Sequence, residues 1–168
     1  MAGGGNNKKD EERTVTQNLD FDIAVLDTSV FIKWFKEANE PYVHQAVLLK
    51  QAYLHGDLSI VAPDLVVYEI GNILALKSDL MENEAVQKLQ DFLDTGIEIV
   101  TLSQEAIKKA MSFCFRESIT FYDASFAALA NQLECPFITA DRKLHSKIKG
   151  SELFSVLFIS NISGDVLN

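Results

Sequence analysis

The sequence predicts an α/β fold in which helices cover both faces of a parallel sheet. Three observations point there. Short apolar runs of strand length alternate with longer segments of helical period. Pro63 and Gly96 close two of these segments. Four acidic residues, Asp27, Glu69, Asp123 and Asp141, fall where strands end and helices begin. Alternation of this kind builds βαβ units, and those build a parallel sheet. Right-handed crossovers then bring the strand ends to one edge.

In chain order, residues 1–19 (MAGGGNNKKDEERTVTQNL) are Gly, Asn and charge with almost no apolar content, and read as a disordered leader. Residues 20–168 read as the folded domain. FDIAVL is the first strand, and Asp27 closes it. A short helix follows. A second helix runs from about Pro41 to His55, with Val43, Ala46, Val47, Leu49 and Ala52 as its apolar positions. LSIVAP is a strand. LVVYEIGNILAL is a helix offering Leu65, Tyr68, Ile73 and Leu76 for burial. Glu84 to Asp94 continues as helix, with Val86, Leu89, Phe92 and Leu93 on one side, and Gly96 ends it. GIEIVTL is a strand. Ser103 caps a helix through Phe115. Asp123 to Leu133 is a helix, PFITA a strand, Asp141 to Ile148 a short helix and SVLFI a last strand. No internal repeat is present.

A chain of 168 residues, 48 % of them hydrophobic, fits one domain with a substantial core. The net charge is −9. In the leader Lys8, Lys9 and Arg13 balance Asp10, Glu11 and Glu12, so the negative charge belongs to the folded part. That excludes a protein that coats nucleic acid with a broad basic surface. It leaves a nuclease open, because a metal ion in an acidic pocket reverses the local charge. Cys114 and Cys135, the only cysteines, sit in apolar surroundings and read as reduced thiols, with no zinc-type spacing. No apolar stretch reaches the length of a membrane span and no secretory signal is present, so the expectation is a cytoplasmic protein without a membrane role.

Each acid has a structural alternative. Asp27, in LDTS, and Asp141, before RKLHSKI, read equally as helix caps. Asp123 stands three residues after Thr120, a capping-box spacing. Glu69 interrupts an apolar stretch, where a charge needs a partner or a metal; its alternative is a solvated acid at a helix edge. Jointly the pattern says more. Three of the four follow strands, and the fourth lies one turn into a helix leaving the same edge. Converging carboxylates repel unless a divalent cation neutralises them. All-oxygen sites of this kind suit Mg²⁺ or Mn²⁺. The chemistry they suggest is metal-assisted hydrolysis of a phosphodiester.

The frames VLDTSV, YEIGNIL, YDASFAALA and ITADRKL, in this order, closely resemble the PIN-domain family, above all its VapC-type toxin nucleases. The resemblance runs from about Ile23 to Leu144 and implies a three-layer α/β/α sandwich with a central, mainly parallel sheet. It implies cleavage of single-stranded RNA with Mg²⁺ or Mn²⁺, one ion or two. Carried over by position, Asp27, Glu69, Asp123 and Asp141 form the catalytic and metal-binding quartet. Thr28, Ser29, Asn72 and Thr139 occupy the small polar positions that orient ligands or water. The resemblance also implies a homodimer neutralised by an antitoxin whose basic side chain enters the acidic pocket.

No covalent nucleophile with an evident base stands out, which leaves water activated by metal as the attacking group. Arg142, Lys143 and Lys147, beside Asp141, read as RNA phosphate contacts or as a solvated helix face. His44 and His55 read as ordinary helix residues; His145 is near enough to Asp141 to reach substrate. Phe31, Trp34, Phe35, Phe113, Phe115, Phe121, Tyr122 and Phe126 read mainly as core, the remainder as a dimer face or a groove for a partner helix. The leading function is the endoribonuclease toxin of a toxin–antitoxin pair. The alternatives are an RNA-processing PIN nuclease and a catalytically silent PIN domain that binds a partner.

Overall fold

The computed structural model describes residues 19–37 and 39–163. The leader expected over residues 1–19 lies outside them, apart from Leu19, which packs half-buried against the core.

β1 (Ile23–Leu26) is central because its residues are apolar on both faces, and Ala24, Val25 and Leu26 are wholly buried. β2 (Ser59–Pro63) pairs with it on one side and β4 (Phe137–Thr139) on the other. β3 (Glu98–Val100) and β5 (Val156–Phe158) complete the sheet in the order β3-β2-β1-β4-β5, all parallel. Seven helices flank it among the described residues: α1 (Thr28–Phe31), α2 (Val43–His55), α3 (Leu65–Leu76), α4 (Glu82–Leu93), α5 (Gln104–Glu117), α6 (Phe121–Gln132) and α7 (Arg142–Ile148). A 3₁₀ turn, Ile32–Phe35, prolongs α1. This is the three-layer α/β/α sandwich expected from the sequence.

The strand order matters for the site. From β1 the chain steps to β2 and β3 on one side, then returns to β4 and β5 on the other. The strand ends part company between β1 and β4, and parallel sheets bind ligands at such a switch point, beyond the carboxyl ends. Asp27 leaves β1 there. Its backbone N–H donates to the Ile138 carbonyl of β4 at 2.9 Å.

α6 runs across the sheet as its main cover and is buried through Ala124–Ala130, where small side chains alternate with Phe126 and Leu129. Thr120 starts it, so the helix begins two residues before Asp123 rather than at it. The helix arrives from α5, not from a strand, which corrects the expectation that Asp123 closes a strand.

Two helices turn differently from expectation. In α3 the buried stripe is Val66, Ile70 and Leu74, while Tyr68 and Leu76 are each 76 % exposed. The helix is apolar on nearly all sides, so its composition does not say which stripe faces inward. In α4 Phe92 is buried and Leu89 is partly buried against the core, but Val86 and Leu93 face solvent. The aromatic residues divide likewise: Phe31, Phe113 and Phe126 are core, Trp34 and Phe35 pack half-buried on it, and Phe115 is 82 % exposed. Cys114 and Cys135 are both free thiols.

Candidate active site

The four acids reach one cleft by three different routes. Asp27 follows β1 and Asp141 follows β4, each as the N-terminal boundary residue of the next helix. Glu69 lies in the second turn of α3, and Asp123 in the first turn of α6. All four line a cavity of about 220 Å³, together with Asn72 and Lys77. Thr28 and Ser29 line it too.

Hydroxyl groups hold these carboxylates. Asp27 is only 6 % exposed. It makes no helix-cap bond with its side chain. Its Oδ2 instead accepts from Ser29 Oγ and, at 2.8 Å, from Thr139 Oγ1. Thr139 is fully buried and accepts in turn from the Asp141 backbone N–H at 3.0 Å. Ser29 Oγ accepts from the Ala140 N–H at 2.9 Å. The turn after β4 thereby fixes the side chain that ends β1. Thr28 donates to Glu69 Oε2, joining α1 to α3. Thr120 donates to Asp123 Oδ2 at 2.7 Å while its own oxygen accepts from the Asp123 N–H at 3.1 Å. Asp141 does cap α7: its Oδ1 accepts from Lys143 N–H at 2.7 Å and Leu144 N–H at 3.1 Å.

The electrostatics follow from this burial. Desolvation pushes the Asp27 carboxyl up from 3.8 to about 6, against the lowering effect of its two hydroxyl donors; the charges of Asp123 and Glu69 add to the rise. Burial also raises Glu69, where Thr28 and Lys77 work in the opposite sense and Asp123 in the same sense. Three of the acids therefore sense one another's charge. Among the described residues, no three of these side chains stand as a ready-made metal cage. The donor chemistry nevertheless fits a hard divalent cation: carboxylates with hydroxyl and amide neighbours, and neither thiol nor imidazole in the lining.

A family comparison decides what kind of domain carries this cleft: the model of the PIN domain matches residues 24–150. The chain belongs to the PIN domain family. The match spans all four acidic positions of this PIN domain. Ribonuclease VapC3 of Pyrobaculum aerophilum is 32 % identical over 88 residues, half of this chain and 67 % of that protein. Among solved structures, VapBC2 from Rickettsia felis, bound to a DNA fragment from its promoter, superposes with a TM-score of 0.61 at 17 % identity, over 81 % of this chain and 98 % of that one. VapC20 of Mycobacterium tuberculosis, a sarcin–ricin loop cleaving toxin, gives 0.55 at 16 % identity, over 73 % and 93 %. At such identities the structures show the PIN fold, and nothing finer.

The remaining expected residues separate in this PIN domain. Lys143 and Lys147 line a second cavity, of about 370 Å³, that shares Asp123 and Asp141 with the first. Arg142 lines neither of the two. It bonds to the Tyr42 hydroxyl, with its guanidinium carbon 5.3 Å from the Tyr42 ring centre and 5.6 Å from that of Phe158. His145 packs on Phe158 at 5.1 Å, and its pKa is lowered, first by burial and then by Lys149. Lys77 escaped the sequence reading because a lysine just past a helix end reads as surface. The signal that finds it is spacing: Glu69, Asn72, Ile73 and Lys77 form one helical stripe.

Proposed function

We propose that this PIN domain is a metal-dependent endoribonuclease that cleaves single-stranded RNA, acting in the cytoplasm as the toxin of a toxin–antitoxin pair. The observation that carries the reading is the single cleft lined by Asp27, Glu69, Asp123 and Asp141 at the switch point of the sheet. The similarity to a VapC ribonuclease supports RNA as the substrate class.

In this reading Asp27 and Asp123 are the main ligands of a Mg²⁺ or Mn²⁺ ion, and Glu69 and Asp141 hold a second ion or orient the water. The bound cation would supply charge neutralisation at the phosphate and a more acidic water. The protein's own part is orientation. Ser29 and Thr139 hold Asp27, Thr28 holds Glu69, and Thr120 holds Asp123, so each carboxylate keeps one direction before substrate arrives. Asn72 and Lys77 bring N–H donors to the same cleft, suited to phosphate oxygens.

The partner reading rests on surface and charge. Tyr68, Leu76, Met81 and Val86 leave α3, α4 and the link between them unusually apolar outside, and Ile107, Met111 and Phe115 do the same along α5. A homodimer and an antitoxin helix would cover such faces, and the acidic cleft suits a basic side chain from the antitoxin. Among the described residues no helix is long and apolar enough to cross a membrane.

The test is cleavage of single-stranded RNA by the purified chain with Mg²⁺, with Mn²⁺ and in excess chelator. Asp27→Asn and Asp123→Asn should each lower the rate at least about a hundredfold with the fold retained. Cleavage that persists in chelator or in both variants removes the metal-nuclease reading. Growth arrest on expression, relieved by a neighbouring small DNA-binding protein, tests the toxin role.

A further inference from the structure

The two cavities that meet at Asp123 and Asp141 differ in what stands at their far ends. The smaller one ends at Lys77, beyond Glu69 and Asn72 on α3. The larger one ends at Lys143 and Lys147 on α7, with Ile119 and Leu144 as apolar wall. The two cavities share Asp123 and Asp141, and each carries lysine in the part of its lining that is not shared, Lys77 in one and Lys143 with Lys147 in the other. In a domain whose chain carries a net charge of −9, that arrangement is selective.

Lys147 is anchored through its side chain, and Lys77 is placed by the end of α3. Lys77 follows the last turn of α3, and its N–H donates to the Ile73 carbonyl at 2.9 Å. It stands roughly 12 Å along the helix axis from Glu69. It lines the same cavity as Glu69, and its charge opposes the burial that raises the Glu69 carboxyl. The Lys147 ammonium spans from α7 to the α5–α6 link and donates to the Ser118 carbonyl at 3.0 Å. One of its three N–H groups is spent on that anchor and two remain for a ligand.

We infer that the acidic cleft is the midpoint of one RNA groove, in which Lys77 holds the phosphate on one side of the scissile bond and Lys143 with Lys147 holds the phosphate on the other. The cavity of about 370 Å³ between Lys147 and Asp141 takes the intervening nucleotide, with its base against Ile119 and Leu144. The inference deepens the nuclease reading and rests on it for the scissile bond. The ligand class is a single strand of at least three consecutive phosphates. A mononucleotide, with one phosphate, cannot engage both lysine poles at once.

The experiment is fluorescence anisotropy of a labelled single-stranded 12-mer RNA against a salt series, in an Asp27→Asn background with Mn²⁺, with cleavage by the parent protein measured in parallel. Lys77→Gln and Lys147→Gln should each reduce the salt slope by about 0.7 and weaken binding about fivefold at low salt, and the double variant should show the sum. Lys147→Arg, which keeps the charge, should retain the slope. Lys108→Gln, exposed on α5 and lining neither cavity, should change nothing. A strand with a methylphosphonate on one flank of the cut site should be insensitive to one lysine variant and fully sensitive to the other. Unchanged slope and affinity in Lys77→Gln, or no binding of the strand, overturns the groove. Cleavage by the parent with that result leaves the nuclease reading standing; lysine-dependent binding without cleavage removes the nuclease reading and keeps the groove.

Discussion

The turn from β1 into α1 and the turn from β4 into α7 look alike in the sequence and behave oppositely in the fold. Each takes a buried strand through an aspartate into a helix. Asp141 does what a helix-boundary aspartate ordinarily does, accepting two backbone N–H groups at an exposed position. Asp27 forgoes that role, is buried, and spends its oxygen on two hydroxyls. One aspartate stabilises its helix. The other is held by hydroxyl donors against the desolvation that raises its pKa.

The largest expected effect separates the two by pH. The Asp27 carboxyl has a folded-state pKa of about 6, above its ordinary 3.8. An acid raised in this way binds its proton more tightly in the folded state. Its neutral form favours folding, so the contribution of Asp27 to metal-free stability should be greatest below about pH 4, fall through pH 6 and stay lower above it. The full difference is about 3 kcal/mol for Asp27 alone, of which about 2 kcal/mol falls between pH 4.5 and pH 7.5. Denaturant titration of metal-free protein at pH 4.5 and pH 7.5 should show it. Asp27→Asn should abolish most of the difference and be the more stable protein at pH 7.5. Asp141→Asn should retain it. An identical pH profile in Asp27→Asn would mean that this carboxyl ionises without strain.

Next come the hydroxyls. Thr139→Val removes one donor from Asp27 and Ser29→Ala the other, and both donors lower its pKa. Each variant should lose about 1–2 kcal/mol at pH 7.5 and much less at pH 4.5, because a protonated carboxyl needs them less. A loss equal at both pH values would assign these residues to packing.

The cap is smaller. Asp141→Ala should cost about 1 kcal/mol, whereas Asp141→Asn should stay within a few tenths, because Asn also caps well. If Asp141 also serves in cleavage, Asp141→Asn should lose activity with its stability intact. A calorimetric scan beside an RNA cleavage assay reads both. Smallest is Arg142→Gln, which should lose about 0.5–1 kcal/mol by releasing the Tyr42 and Phe158 rings, and leave RNA affinity unchanged. A loss of RNA affinity there would return Arg142 to the phosphate path.

The strands and their order along the chain were legible because apolar runs of four to six residues bounded by turns have few other readings. The quartet was legible as a pattern, since acids that interrupt apolar segments are costly unless used. The route of Asp123 was not: its helix follows another helix, and local sequence does not show which layer a helix crosses. Nor was the inward face of α3. With apolar residues on almost every side, its composition does not say which stripe packs inward; Val66, Ile70 and Leu74 take that place, and Tyr68 and Leu76 stay exposed.

The alternation of apolar runs and helical segments, by itself, determined a parallel sheet with its strand ends at one edge, since burial and chirality leave few other solutions. Composition and motif order also determined that four carboxylates belong near that edge. Only the tertiary structure decided which of them bears the electrostatic strain. Asp27 acquires its raised pKa first from burial and then from charges on α3 and α6, and it is held by Thr139, 112 residues away. Desolvation and Coulomb interaction depend on distance in space, and no local stretch of sequence encodes that distance.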